Sequence, residues 1–358
     1  MTGGAEHVAI NLSRGFIEKG FKVDVLLACQ DGQLLPLLPP AVKVVRFKTS
    51  RTIFAIPLLV AYLRRSKPDA VISFLTHANI VAVVSKVLAR YKGRLILTEH
   101  SSVTQNLVKQ PGYKNKTMLL LMKRLYPLAD KVVAVSSQLM HELETTIGIN
   151  NVTRIYNPVD SSFPDVETID KLRNAIQARP GFRYSIAAVG RLTRAKNFAM
   201  LIKSIKQVRD KVPVVLNIIG EGEERTNLEK LIRELDLSDH VFLRGYSAQP
   251  KAWMRLSDLL VLSSSWEGFS LVLAEALSMG TTVVSTNCQT GPAEILDHGK
   301  YGYLVPVNDI DKLTEGILYA LEHPMDPDLL RERAAMFSVP KITDDYLQVV
   351  FPDIQPRS

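Results

Sequence analysis

The sequence LLVLSSSWEGFSLVLAEALSM, residues 259–279, combines the signal of a strand with that of a helix. Residues 259–262 form a short apolar run that predicts a buried strand, and residues 270–279 are almost entirely apolar over the length of a helix. Gly280 follows directly and is a typical helix terminator. The loop between them therefore joins a strand to a helix. In an open α/β sheet such a loop lies at the edge where ligands bind.

The rest of the chain repeats this alternation of strands and helices. Short apolar runs predict strands at residues 22–27, 42–47, 70–74, 94–98, 132–135, 152–155, 186–189, 214–219, 241–243, 259–262 and 282–285. Amphipathic segments predict helices near residues 57–65, 79–91, 116–126, 197–209, 223–235, 249–256 and 270–279. This rhythm indicates an α/β protein with parallel sheets covered by helices, arranged as two Rossmann-like domains in series with a cleft between them.

The join between the domains is predicted at Asn157-Pro158, where proline interrupts the pattern. We expect an N-terminal domain over residues 1–157 and a C-terminal domain over 158–340. A last helix, at about 341–358, is expected to pack back on the first domain. The chain opens with Met1-Thr2-Gly3-Gly4 and continues at once into a helical segment. The glycine turn therefore lacks the strand that normally precedes it. Two explanations are open: the true start of the protein lies upstream, or the first sheet lacks its first strand.

The net charge of +8 is unevenly distributed over the 358 residues. Residues 1–160 contain 21 Lys and Arg against 10 Asp and Glu, a balance of +11, whereas the remainder is slightly acidic. A basic first half suits anionic lipid, a lipid-linked phosphate or nucleic acid. Nucleic acid is disfavoured, because no basic recognition helix, zinc finger or aromatic-basic pattern occurs.

The localisation that we predict is cytoplasmic. The two cysteines, Cys29 and Cys288, are far apart and suggest neither a disulfide framework nor a zinc site. No signal peptide is visible at the N-terminus. The longest apolar stretch, residues 53–63, is about half the length of a membrane span and is predicted to be a buried helix.

Glu275 is the one charged residue on the apolar helix at 270–279. An unpaired carboxylate in such surroundings is costly, so Glu275 needs hydrogen-bond donors. The paired hydroxyls of a ribose would supply them, and so would a neighbouring Arg or the backbone. The start of the helix, with Gly268 allowing close approach, offers backbone N–H groups to a phosphate or a sugar.

A second loop, Gly190-Arg191-Leu192-Thr193-Arg194-Ala195-Lys196, follows the predicted strand at 186–189. Gly190 permits a tight turn, and Arg191 and Lys196 bring two positive charges to the end of the strand. A pyrophosphate is the natural ligand for this pair. The alternative is a solvated loop with incidental basic residues.

The two loops together resemble the retaining glycosyltransferases of family 4, which have the GT-B fold. The resemblance is carried by Glu267-x7-Glu275 and by Gly190-Arg191-Leu192-x3-Lys196. Further segments that fit the family, in order along the chain, are residues 3–6, 126–130, 133–136, 155–160, 219–224 and 291–296. This resemblance implies a nucleotide-sugar donor, with UDP as the most frequent nucleotide of the family.

The resemblance also implies roles for individual residues. Arg191 and Lys196, in the turn at Gly190, would hold the donor diphosphate, and Glu275 would hold the ribose. Glu267 and the backbone of Gly268, Phe269, Ser270 and Leu271 would contact the donor sugar and its phosphate. In the first half, His100 would face the transferred sugar, and Gly3 and Gly4 would approach the phosphate or the acceptor.

The mechanism implied by the family retains the anomeric configuration and passes through an oxocarbenium-like transition state. We expect no cofactor and no metal, because two cations can stabilise the departing diphosphate. Two Asp-x-Asp segments, at 309–311 and 326–328, are not interpreted as metal sites. Asp309 is instead predicted to cap a helix at 311–322.

The acceptor is predicted from the first half of the chain. Residues 109–126, KQPGYKNKTMLLLMKRLY, combine basic residues with an apolar run. They suggest docking on an anionic membrane surface, with a lipid-linked sugar or glycan as acceptor. The alternative is a core helix with snorkelling Lys and Arg side chains. Two other functions are alternatives. One is a different activity on the same fold, such as sugar-nucleotide epimerisation, against which the two loops argue. The other is a truncated, non-catalytic relative that keeps nucleotide-sugar binding in its second half only.

Overall fold

The computed structural model of the chain describes residues 4–28, 34–102, 113–177 and 181–352. It divides into two compact units. The first unit comprises residues 1–159 and 337–358, and the second comprises residues 160–336. The divisions expected from the sequence lay after residues 157 and 340.

The helices and strands alternate along the described chain. In order they are α1 (Gly4–Glu18), β1 (Asp24–Leu27), β2 (Lys43–Arg46), α2 (Ile56–Ser66), β3 (Ala70–Phe74), α3 (Thr76–Ala89), β4 (Arg94–Glu99), α4 (Tyr113–Leu125), β5 (Lys131–Ala134), α5 (Ser137–Glu142), β6 (Val152–Arg154), α6 (Val166–Gln177), β7 (Tyr184–Val189), α7 (Phe198–Arg209), β8 (Val214–Ile219), α8 (Arg225–Glu234), β9 (Val241–Gly245), α9 (Pro250–Leu256), β10 (Leu259–Leu262), α10 (Leu271–Ser278), β11 (Val283–Thr286), α11 (Pro292–Ile295), β12 (Tyr303–Val305), α12 (Ile310–Glu322), α13 (Pro327–Ala335) and α14 (Val339–Val350). Single 3-10 turns lie at Leu35–Leu37, Thr52–Ala55, Tyr126–Leu128, Arg194–Lys196 and Asp297–Gly299, and a π turn lies at Leu143–Ile147.

The first unit contains two parallel sheets. Strands β3, β4, β5 and β6 form one sheet in that order, and β1 pairs with β2 in the other. Helix α1 is the first element of the described residues, and β1 follows it. Strand β4 lies inside the larger sheet and is almost fully buried, so the residues that follow it leave the sheet from a rigid position.

The last helix of the chain, α14, packs against α1 in this first unit. The two helices approach closely at Gly15, where an added Cβ atom would lie 1.9 Å from the Thr343 hydroxyl oxygen. Lys19 and Asp344 form an ion pair 2.5 Å long beside this contact. The N–H of Val159 donates to the carbonyl of Phe337, which joins the two chain segments of the unit.

The apolar stretch at 53–63 is only partly buried, so the predicted buried helix is wrong in this respect. Ala55 and Leu59 pack in a small apolar cluster, whereas Ile53 and Phe54 are exposed. The stretch forms a 3-10 turn and part of α2, which has one buried face. None of the described helices has both the length and the apolar character needed to cross a membrane.

The second unit is built on one parallel sheet of six strands in the order β12-β11-β10-β7-β8-β9. The order reverses between β7 and β10, which are direct neighbours: Leu259 pairs with Ile186 and Leu260 with Ala187. This reversal is the switch point of a Rossmann-type sheet, where two loops diverge and leave a crevice for a ligand. Both loops singled out by the sequence start at this point.

Candidate active site

The two loops that follow β7 and β10 are bonded to each other. The N–H of Ser265 donates to the carbonyl of Ala195 at 2.8 Å. The hydroxyl of Ser263 donates to the carbonyl of Lys196, also at 2.8 Å. Side chains on the two loops are therefore held in a fixed relation at the switch point of the sheet.

Lys196 and Glu267, one from each loop, form an ion pair. The Nζ atom of Lys196 lies 2.5 Å from Oε1 of Glu267. Both side chains are shielded, with 20% of Lys196 and 10% of Glu267 exposed. The Ser264 hydroxyl donates to the same Oε1 at 2.6 Å. The structure thus brings these two predicted site residues together and adds Ser264, which the sequence analysis did not single out.

A third loop supports Glu267 from the neighbouring strand β11. The hydroxyl of Thr290 donates to the backbone carbonyl of Glu267. Gly291 has a φ of +93°, and an added Cβ atom would lie 3.3 Å from the N atom of Ser270. The residues 290–291 therefore hold the backbone of the Glu267 loop, and Thr290 is a second residue that the sequence analysis missed.

The turn at Gly190 rests on the loop that follows β8. An added Cβ atom on Gly220 would lie 1.9 Å from the carbonyl oxygen of Gly190. The N–H of Leu192 donates to the carbonyl of Glu221 at 2.9 Å. The segment 219–224, recognised only as part of a resemblance, is thus a backbone platform for the turn that carries Arg191.

Arg191 differs from Lys196 in its exposure. Its side chain is 49% exposed and makes one long ion pair, 3.5 Å, to the exposed Glu223. Such a pair between solvated side chains contributes little to stability. The guanidinium is therefore accessible to an anionic ligand at the end of β7.

Helix α10 carries the other predicted residues of this site. Gly280 ends it in the left-handed region at φ +72°, and the N–H of Thr281 bonds back to the carbonyl of Ala276. At its start Phe269 and Ser270 are buried. The N–H of Leu271 donates to the carbonyl of Phe269 at 3.0 Å, so this amide, expected to face a ligand, already has a partner.

Glu275 is half-buried on α10, and no side-chain hydrogen bond or ion pair joins its carboxylate to another residue of the described chain. Burial raises the pKa of Glu275 to about 7, and the nearby Lys251 and Asp160 oppose each other in their effects on it. Lys251 is itself paired with Asp160 at 3.2 Å. The carboxylate is therefore a half-buried acceptor without a side-chain donor among the described residues, as a binding site for hydroxyl groups requires.

His100 and Gly4 belong to the first unit. His100 follows β4, its Nε2 lies 2.9 Å from the Thr98 hydroxyl, and its ring stacks on Phe74. Burial lowers the pKa of His100 to about 4, with a smaller opposing effect from Asn157, so the ring is neutral at pH 7. Gly4 is the exposed first residue of α1, and Gly3 lies outside the described residues.

Glu99, directly before His100, is a buried carboxylate that the sequence analysis passed over. It accepts hydrogen bonds from Thr76 at 2.9 Å, from Asn79 at 3.0 Å and from the Tyr126 hydroxyl. Burial raises the pKa of Glu99, and these hydrogen bonds oppose the rise. The network ties the end of β4 to α3 and so fixes the position of the backbone from which His100 follows.

The described residues contain no group of three or more His, Cys, Asp and Glu side chains placed to hold a metal ion. The carboxylate of Asp309 accepts from the N–H of Lys312 and caps α12, as predicted. Asp326 caps α13 in the same way. Cys288 is buried, and Cys29 lies outside the described residues.

The chain is similar to known proteins over most of its length. A family model described as glycosyltransferase family 4 matches residues 2–163, and one described as glycosyl transferases group 1 matches residues 171–336. An uncharacterised glycosyltransferase of Methanocaldococcus jannaschii is 31% identical over 274 residues, which are 69% of this chain and 65% of that protein. The chain therefore spans about two thirds of this relative's length.

Two further similarities bear on the fold and the family. The N-acetylgalactosamine-N,N'-diacetylbacillosaminyl-diphospho-undecaprenol 4-alpha-N-acetylgalactosaminyltransferase of Campylobacter jejuni is 29% identical over 78% of this chain and 75% of its own. The crystal structure of Anabaena HepE with UDP-glucose superposes with a TM-score of 0.81 at 22% identity, covering 98% of this chain and 96% of that one. With two glycosyltransferase domains in series and parallel sheets covered by helices, the chain belongs to the GT-B glycosyltransferases of the family 4 type.

Proposed function

We propose that this glycosyltransferase moves a sugar from a UDP-sugar to a lipid-linked or polysaccharide acceptor, with retention of the anomeric configuration. The observation that carries the proposal is the shielded Lys196–Glu267 pair at the switch point of the second sheet. It places a cation and a carboxylate side by side, and these are the groups that a diphosphate and a sugar require. The acceptor would be an intermediate of cell-surface glycan biosynthesis.

The donor diphosphate is proposed to lie against Arg191 and Lys196. Bond cleavage at the anomeric carbon leaves negative charge on the diphosphate oxygens, so fixed cations at this place lower the barrier. Arg191 is exposed and can turn its planar guanidinium to two oxygens at once. Lys196 is paired with Glu267 at the same place, and its ammonium has further N–H groups to offer the diphosphate. We propose that these two cations suffice and that transfer requires no metal, so EDTA should leave the rate unchanged.

The ribose is proposed to bind Glu275, which supplies two acceptor oxygens and has no donor of its own among the described residues. Glu267 is proposed to accept from hydroxyl groups of the donor sugar. His100, neutral at pH 7, is proposed to contact the transferred sugar, because a neutral imidazole can both donate and accept a hydrogen bond.

The comparisons support the classes of donor and acceptor. The Anabaena structure holds UDP-glucose, and the Campylobacter relative is named for a diphospho-undecaprenol-linked substrate. These substrates suit a chain whose first 160 residues are strongly basic. We therefore propose an undecaprenol-type lipid or a growing polysaccharide as the acceptor class.

We further propose that the first unit binds the inner face of the cytoplasmic membrane through α4 and the turn after it. Met122 and Tyr126 are buried and anchor this segment in the unit. Leu120, Leu121 and Leu128 are exposed, and so are Lys116, Lys123 and Arg124. An exposed surface with both apolar and basic side chains suits an anionic interface. Of the predicted segment 109–126, residues 109–112 lie outside the described part.

Vesicle sedimentation tests the membrane proposal. The full chain should bind vesicles containing phosphatidylglycerol and not pure phosphatidylcholine vesicles, and Lys123→Gln with Arg124→Gln should weaken binding. Lys203→Gln with Lys230→Gln, which removes two exposed cations of the second unit, is the matched control. Equal binding to both vesicle types would rule out the electrostatic part of the proposal.

The transfer activity is tested by nucleotide release from UDP-glucose, UDP-galactose, UDP-N-acetylglucosamine and GDP-mannose, with a membrane extract as acceptor. One UDP-sugar should be consumed, with an α-linked product by NMR, and Glu267→Ala should abolish release. Arg191→Ala should weaken UDP binding about tenfold, as expected for one lost charge-assisted contact. Arg194→Ala, in the same turn and 87% exposed, should change it less than twofold. Release from none of the three UDP-sugars would contradict the proposal.

A further inference from the structure

The two carboxylate oxygens of Glu267 have different surroundings. Oε1 accepts from Lys196 at 2.5 Å and from Ser264 at 2.6 Å. Within the described chain, no hydrogen bond reaches Oε2. One oxygen is therefore fixed by the protein, and the other has the capacity to accept from a ligand.

Ser264 is firmly placed for its contact with Oε1. Its side chain is fully buried, so it has no access to a ligand. Its carbonyl accepts from the hydroxyl of Thr286 in the adjacent strand β11 at 2.6 Å. The Ser264 hydroxyl thus projects from a residue tied to the sheet and not from a free loop.

Lys196 alone would hold Glu267 poorly once a nucleotide-sugar is bound. Its ammonium has three N–H groups on a flexible stem, and a diphosphate would compete for them. A shift of the Lys196 Nζ atom towards the phosphate would draw Oε1 of Glu267 with it, unless a second hydrogen-bond donor held the carboxylate in place. Ser264 is such a donor, and it does not move with the ligand.

We propose that Ser264 is a positioning residue for the donor sugar. It keeps Oε1 of Glu267 in place when Lys196 engages the diphosphate, so that Oε2 stays directed at a sugar hydroxyl. This inference rests on the proposed function, because it presumes that Glu267 contacts the donor sugar. The proposal distinguishes recognition of the sugar from recognition of the nucleotide. The Ser264 hydroxyl should contribute to binding of the donor sugar and not to binding of UDP.

The test compares Ser264→Thr with Ser264→Val, two variants of equal shape of which only the first retains a hydroxyl. Binding of UDP and of the UDP-sugar chosen by the release screen is measured by calorimetry, and kcat and KM by nucleotide release. Ser264→Val should bind UDP within twofold of the wild type. Its kcat should fall about 10- to 100-fold, as for loss of one hydrogen bond to a charged group, and its preference for the UDP-sugar over UDP should be reduced. Ser264→Thr should retain the kcat of the wild type and its preference for the UDP-sugar over UDP.

Two further variants distinguish positioning from general damage. Ser204→Ala removes an equally buried hydroxyl of the second unit, bonded to Thr314, and should leave kcat unchanged. In a Glu267→Gln background, Ser264→Val should lower kcat less than threefold further, because it acts through the carboxylate. Equal kcat for the Thr and Val variants, in an enzyme that releases UDP normally, would overturn the role of Ser264. Failure of the wild type to release UDP from any donor would overturn the proposed function itself.

Discussion

The Nζ atom of Lys196 lies 2.5 Å from Oε1 of Glu267, although the two residues are 71 positions apart in the sequence. They meet because β7 and β10 are neighbours in the second sheet. The negative charge of Glu267 is compensated by the Lys196 ammonium before any ligand binds. An anionic diphosphate can therefore bind beside a carboxylate without being repelled by it.

Lys196→Gln tests this relationship directly. The substitution removes a cation that we assign to the diphosphate and leaves Glu267 without its counter-charge. Affinity for UDP should fall about 10- to 100-fold, equivalent to about 1.5–3 kcal/mol. Titration calorimetry with UDP measures the change. Lys230→Gln breaks an ion pair of the same unit whose side chains are 72% and 56% exposed, and it should have no effect on UDP binding. Equal affinities for the two variants would show that Lys196 does not face the diphosphate.

Gly220→Ala should disturb the site without touching a ligand. The new Cβ atom would lie 1.9 Å from the Gly190 carbonyl oxygen, so the turn that carries Arg191 must move. We expect a loss of about 1–3 kcal/mol in unfolding free energy, together with weaker UDP binding. Urea unfolding and calorimetry measure the two effects.

Gly299→Ala is the matched control for this substitution. Gly220 and Gly299 both have a positive φ, +150° and +102°, but an added Cβ atom on Gly299 would meet nothing within 4 Å. Its substitution tests backbone strain alone. If it weakened UDP binding as much as Gly220→Ala, the close approach of residues 190 and 220 would not be the cause.

The sequence predicted most of this architecture because strand and helix periodicity is local information. Strands β8 and β10 were predicted with their observed limits. Strand β12 was missed, since it is three residues long and only one of them is buried. Leu271 was expected to offer a free amide, but its N–H closes a turn onto Phe269.

The contacts of the site could not be predicted in the same way. That Lys196 pairs with Glu267 depends on β10 lying next to β7, and strand order is not encoded in periodicity. Ser264 looked like one of three consecutive serines after a strand, and only the structure shows its hydroxyl on the carboxylate. An Arg or backbone partner for Glu275 is compatible with the sequence, but the described chain offers its carboxylate none.

Glu275 makes stability and binding depend on pH in opposite directions. Burial raises its pKa from 4.5 to about 7, so the folded protein holds a proton that the unfolded chain releases. This contribution to stability is complete below pH 4.5 and is lost as the pH rises to about 7. Glu275→Gln keeps the neutral form at every pH. Its melting temperature, relative to the wild type, should therefore rise by about 2–4 °C between pH 5 and pH 8.

UDP affinity gives the second half of this prediction. Wild-type affinity should increase from pH 6 to pH 8 as Glu275 ionises and becomes a better acceptor for the ribose hydroxyls. Glu275→Gln should bind UDP more weakly at pH 8 and show a flatter pH profile. A wild-type profile as flat as that of the variant would contradict the assignment of Glu275 to the ribose.

His100 makes stability depend on pH in the opposite direction to Glu275. Burial lowers its pKa from 6.5 to about 4, so between these values the unfolded chain binds a proton that the folded protein does not. Stability contributed by the neutral ring is present above pH 6.5 and is lost as the pH falls towards 4, with a loss of about 2 kcal/mol at pH 5. His100→Gln removes this loss, so its unfolding free energy should fall less than that of the wild type between pH 7 and pH 5. Urea unfolding at the two pH values measures the difference.

His77→Gln, at an exposed histidine of the same unit, should follow the wild type. If His100→Gln also followed the wild type, the ring would not be buried in the neutral form, and its proposed role as a neutral partner for the transferred sugar would fail with it.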